Sequence, residues 1–218
     1  MASIINDTLI LSRRQRVADQ WNLDTEVVLV SSGSLVPIAG SDLHYEFRPH
    51  PDFAYLAGHG IADSVLAYDA KDRQWQLFGP RSTADEMVWH QPANEIGLPT
   101  SELKDWLQRR EHQPVIESGD DVKIQAGIAE VRLRKDEYEL SALRSAAATS
   151  QAGFSWVYEN VTTGMTEREI QIGIEAEFFR AGAVRTAYPS IVASGPNGAY
   201  LHYVYGQDDS LSPATRTL

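Results

Sequence analysis

The run Glu26-Val27-Val28-Leu29-Val30-Ser31-Ser32, closed by Gly33 and Ser34, constrains the fold more than any other stretch. Side chains of a strand alternate between two faces, so four successive apolar residues leave neither face polar. Such a strand is stable only when covered on both sides, which predicts an α/β first half with helices over a sheet. Residues 4–19 mix apolar side chains with Arg13, Arg14 and Arg16, the pattern of an amphipathic helix laid on one face, and residues 21–24 end it. Residues 64–68 and 74–78 read as two short strands joined by the polar loop 69–73, a hairpin. Thr83 and Glu86 have capping-box spacing, so a helical turn is expected there, running toward Trp89. Leu103, Trp106 and Leu107 predict a short amphipathic helix capped by Ser101, and residues 113–116 a further strand. Residues 118–131 carry no strong pattern and are taken as the inter-domain linker.

The second half changes character. Leu140, Leu143, Ala147 and Phe154, then Val157 or Tyr158, form a helical stripe, with Lys135, Asp136, Glu137 and Arg144 on the wet face. Thr166 and Glu169 form a second capping box, opening a helix with Ile170, Ile174 and Phe178 on one side that ends at Gly182. Ser190-Ile191-Val192-Ala193, the turn formers Ser194-Gly195-Pro196-Asn197-Gly198, and Ala199-Tyr200-Leu201-His202-Tyr203 read as strand, tight loop and returning strand. His202 then lies beside the loop. On spacing alone, a histidine between Leu201 and Tyr203 is more often packed or on the surface than functional.

The formal net charge of −11 repels phosphate backbones and anionic lipid, which argues against nucleic acid or a membrane surface as partner. With no cysteine there is no disulfide, no thiolate nucleophile and no Cys-ligated zinc, so a metal would need His, Asp and Glu. No apolar run approaches the roughly 20 residues that cross a bilayer. The N-terminus lacks the basic-then-apolar pattern of a secretory signal, and a cytoplasmic protein is expected.

Three stretches, in this order, carry a resemblance. The first is the aromatic-Arg segment Tyr45-Glu46-Phe47-Arg48 with Asp52-Phe53-Ala54-Tyr55-Leu56-Ala57-Gly58. The second is the arrangement of Arg132, Lys135, Glu139, Leu143, Arg144 and Ala146, continued by Gly164-Met165-Thr166-Glu167. The third is Ile191-Val192-Ala193-Ser194-Gly195-Pro196-Asn197-Gly198-Ala199-Tyr200-Leu201-His202-Tyr203. Together they resemble the Xaa-Pro aminopeptidases and Xaa-Pro dipeptidases, metallopeptidases with a pita-bread catalytic fold.

The resemblance implies an α/β chain: an N-terminal creatinase/aminopeptidase P-type domain with a mixed sheet over residues 1–128, then an incomplete pita-bread α+β domain over residues 129–218. It implies that His202 lines the substrate pocket and hydrogen-bonds the substrate or the tetrahedral intermediate. Trp89 occupies the place of a tryptophan that can reach a neighbouring subunit's site, so a homo-oligomer is implied, with proline-containing peptides as substrates of the full-length relatives. Those relatives use two divalent ions, often manganese, held by two aspartates, one histidine and two glutamates. The family's Asp-Ala-Gly turn does not follow His202, no glutamate follows Glu177 and no histidine follows His202. Asp208 and Asp209 are adjacent, and adjacent carboxylates on an extended chain point apart, so they read as a solvated turn. The expectation is a C-terminally truncated member with no metal ligands, no cofactor and no hydrolysis of its own; the alternative is a non-catalytic, peptidase-like binding or scaffold module.

Overall fold

A computed structural model describes residues 7–83 and 96–204. The chain divides into two compact units, Met1–Arg134 and Lys135–Leu218.

In the first unit the double-faced strand is β1, Val27–Ser31, and its first four residues are buried. It sits inside a mixed sheet with β2 (Val65–Asp69), β3 (Gln74–Gly79), β4 (Leu98–Pro99) and β5 (Val115–Glu117), in the order β4-β3-β2-β1-β5. β1 runs antiparallel to β2 and parallel to β5, with Val28 opposite Tyr68 and Ile116. The expected hairpin is present: β2 and β3 are antiparallel, with Asp69 paired to Gln74 across the turn.

Alternation along β1 divides the core in two. Val28 and Val30 face one side, packed with Val17, Ala18 and Trp21 of α1 (Asp7–Trp21), Phe53 and Leu56 of α2 (Pro51–Ala57), and Ile124 and Ile128 of α4 (Val122–Leu133). Val27 and Leu29 face the other, with Ala67, Phe78 and Trp106 of α3 (Leu103–Gln108). Helices thus cover both faces, as two apolar faces require. Buried side chains of this size contribute about 1.5–3 kcal/mol each on leaving water.

Two local expectations shift. Ser101 does not cap α3; it lies in a 3-10 turn, Thr100–Glu102, that leads into the helix. Residues 118–131 are not a linker, because most of them form α4. Asp121 caps this helix by accepting from the Lys123 and Ile124 backbone N–H groups at 2.8 and 3.0 Å, and Trp21 Nε1 donates to the Ile124 carbonyl at 3.0 Å. A boundary after residue 128 falls inside α4, whereas the two units divide after Arg134.

The described part of the second unit is built on a helix pair, α5 (Glu137–Asn160) and α6 (Glu167–Arg180). Both begin with complete capping boxes, Asp136 with Glu139 and Thr166 with Glu169, so the first-turn N–H groups have acceptors. The helices pack along a seam centred on Gly153 and Gly173. A Cβ on Gly153 would lie 2.2 Å from Phe178 Cε1, and one on Gly173 1.9 Å from Trp156 Cη2. This close approach displaces the expected stripe on α5: Leu143, Phe154 and Tyr158 are 55%, 65% and 93% exposed. Each glycine takes side chains of the facing helix, Phe178 and Ile174 against Gly153 and Trp156 against Gly173, while Leu143, Phe154 and Tyr158 are left outside.

The expected strand, loop and returning strand after α6 does not form. Residues 190–194 carry no ladder pairing, Gly195–Ala199 is a 3-10 turn, and His202 lies in a turn. Among the described residues the backbone bonds here are local, from Asn197 to Ser194 and from Tyr200 to Asn197. A β-branched run makes a strand only when a neighbouring strand meets its N–H and C=O groups, and the described part of this unit contains none.

Candidate functional site

The candidate site grows from the N-terminus of α6. Thr166 is the N-cap, and its hydroxyl accepts from the Glu169 backbone at 3.2 Å while the Glu169 carboxylate returns to the Thr166 N–H at 2.8 Å. Glu167, the first residue inside the helix, is freed from capping by this box. It turns inward and is 1% exposed.

Its carboxylate collects the following loop. Oε1 accepts from the Ser194 N–H at 2.6 Å, from the Ser194 hydroxyl at 3.0 Å and from Asn197 Nδ2 at 3.0 Å. Oε2 accepts from Asn197 Nδ2 at 3.1 Å, and the Tyr203 side chain also hydrogen-bonds the group. Burial by itself pushes the Glu167 carboxyl upward. The donors from Asn197, Ser194 and Tyr203 outweigh it and hold the group below the usual glutamate range. A buried charge with this many donors is an anchor, since each donor would otherwise need water.

His202 lies on the anchored loop, between Asn197 and Tyr203, and its side chain is exposed. The structure places the predicted histidine on the surface of the second unit rather than in a packed core. Trp89 lies outside the described residues, as do Asp208 and Asp209. No group of three or more His, Cys, Asp or Glu side chains placed to hold a metal ion occurs among the described residues. These residues do not fit a dinuclear metal centre.

Glu167 belongs to the Gly164-Met165-Thr166-Glu167 motif, but its spacing by itself points to no site role. An acidic residue in the first turn of a helix ordinarily complements the helix dipole and is expected to be solvated. The available signal was redundancy: with Glu169 completing the box, Glu167 had no local task.

The aminopeptidase P N-terminal domain model matches residues 10–96, and the metallopeptidase family M24 model matches residues 141–215. A probable Xaa-Pro aminopeptidase pepP of Neosartorya fischeri is 29% identical over 82% of this chain and 45% of its own length. One from Emericella nidulans is 27% identical over the same shares, so the chain spans about half the length of the curated relatives it matches. Among solved structures, Escherichia coli aminopeptidase P with the inhibitor Pro-Leu superposes with a TM-score of 0.78 at 22% identity, over 93% of this chain and 56% of that one. Pseudomonas aeruginosa aminopeptidase PepP gives 0.78 at 20% identity, over 94% and 56%. At that identity the structural likeness shows the fold: an aminopeptidase P-type α/β domain with a mixed sheet, followed by part of a pita-bread domain. Both family models, matched in sequence order, together with these relatives, support the Xaa-Pro aminopeptidase family of M24 metallopeptidases for this chain.

Proposed function

We propose that this chain supplies the N-terminal domain and one wall of the peptide cleft of a metal-dependent Xaa-Pro peptidase, and that it does not by itself hydrolyse the bond before proline. His202 is the residue of that wall that meets the substrate or the tetrahedral intermediate, by a hydrogen bond from its imidazole. Trp89 contributes to substrate binding across a subunit interface in a homo-oligomer, in the cytoplasm. Divalent ions, manganese among them, would supply Lewis-acid chemistry for hydrolysis in full-length relatives. They need hard oxygen ligands beyond those described here.

The observation that carries this reading is the loop 194–203. It is fastened by a buried carboxylate, leaves His202 exposed, and lies inside the segment matched by the M24 model. The test is incubation of the purified 218-residue chain with manganese and Xaa-Pro peptides. No release of the N-terminal residue is expected, and sustained turnover would overturn the reading. A second reading, a peptidase-like binding module without catalysis, is favoured by the exposed Leu143, Phe154, Tyr158, Ile172 and Phe179 on α5 and α6. Sedimentation showing a monomer at high concentration counts against it.

A further inference from the structure

The loop 194–203 has little means of holding its own shape. It contains Gly195, Pro196 and Gly198, with Gly195 at φ +50°, and outside its short 3-10 turn Gly195–Ala199 the backbone bonds from Asn197 to Ser194 and from Tyr200 to Asn197 are local. Such local bonds shape the turn but do not fix where it sits, which a partner elsewhere in the chain can do. That partner is Glu167, 27 residues earlier, which takes the Ser194 N–H, the Ser194 hydroxyl, the Asn197 amide on both oxygens and the Tyr203 side chain. The anchor points bracket His202, two before it and one directly after. A carboxylate suits this task because both oxygens accept and neither donates. A glutamine there would aim an NH₂ at the Asn197 NH₂.

We propose that Glu167 is the positioning residue for His202: α6, through this carboxylate, sets where the histidine is presented. The proposal rests on the reading of His202 as the peptide-facing residue, and its test separates the two. Glu167 has no contact with substrate in this account and acts only through the loop.

The decisive measurement is hydrogen exchange on the full chain, followed at residues 194–203 and separately at the first turn of α6. In Glu167→Ala the loop amides should exchange about tenfold faster or more, since hydrogen bonds to a charged acceptor are the strong class. In Glu167→Gln, which keeps one acceptor for the Ser194 N–H, the rise should be smaller. The first turn of α6 should change little, because Thr166 and Glu169 still cap it. Unchanged loop exchange in a folded Glu167→Ala chain overturns the proposal. So does a rise confined to the first turn of α6, which would make Glu167 a helix-terminus residue only. If Glu167→Ala does not fold, Asn197→Ala removes the amide from the loop side, and the same two outcomes decide.

Affinity for the peptide Ala-Pro-Ala addresses the role of His202. If His202→Ala and Glu167→Gln each weaken binding and the double variant weakens it no further, Glu167 acts through His202; additive losses overturn that link. Binding untouched by His202→Ala, or absent in the unsubstituted chain, removes the peptide-facing reading of His202 and leaves the exchange result to decide the role of Glu167.

Discussion

His59 stands against Phe53 in an edge-to-face contact, ring centroids 5.4 Å apart, and neither of its ring nitrogens has a hydrogen-bond partner among the described residues. Burial, aided by the Arg14 charge, lowers its pKa below the ordinary histidine value of about 6.5. The sign follows from proton linkage. Below that ordinary value the unfolded chain takes up a proton that the folded chain resists, so stability is full above it and falls as pH drops toward the lowered value. His59→Phe should flatten this part of the curve, so urea unfolding between pH 7 and pH 5 should show a shallower loss than in the unsubstituted chain. Asp69 is the opposite case, a buried charge that is fully met. It is 1% exposed and accepts from Arg110 Nε at 2.6 Å, from Gln113 Nε2 at 3.4 Å and from the Lys71 and Asp72 backbone N–H groups. Arg110 also lies over the Trp106 ring, 3.6 Å from its centroid, which ties the end of β2 to α3. Asp69→Ala should cost about 3 kcal/mol, the range for removing one partner of a buried pair, read as a lower urea midpoint at unchanged slope.

Among the elements, the α5–α6 pair is the least forgiving of added volume. Gly153→Ala gains about 1 kcal/mol of helix propensity. Its new Cβ would nonetheless lie 2.2 Å from Phe178 Cε1 and 2.9 Å from Ile174 Cγ1. Overpacking of this kind costs typically 1–3 kcal/mol. The net expectation is destabilisation of the second unit, visible as a lower melting temperature, whereas a gain in stability would mean that the seam is looser than its distances imply. The box at Thr166 and Glu169 was readable from residue spacing because it is local and needs no tertiary partner, whereas Glu86 of the expected Thr83–Glu86 box lies outside the described residues. The helix α4 was missed although Asp121 as cap and Ile124 with Ile128 at i and i+4 were present. A single short apolar pair is a weak periodic signal until a sheet is there to cover.

At the scale of the molecule, the two units differ in how much apolar surface they bury. Val17, Val27, Val28, Val30, Phe53, Leu56, Leu66, Phe78 and Ile128 of the first unit are all 0% exposed, whereas the buried apolar residues of the second are Ile170 and Ile174, at 6% and 9%, among the described residues. Local opening follows local burial, so amides of β1 and β2 should be the last to exchange and those of α5 should exchange well before them. Equal protection across both units would contradict that ordering. The double-faced strand, the hairpin, the Thr166–Glu169 box and the family likeness are legible in the residues alone, because each is written in neighbouring positions or in a motif of fixed order. That Gly153 rather than Leu143 marks the helix seam, that residues 190–203 form an anchored loop rather than paired strands, and that Glu167 holds the segment carrying His202 emerge with the folded chain. These depend on which distant groups meet: ladder partners, close backbone approach and buried donors are properties of the closed chain, and no local spacing encodes them.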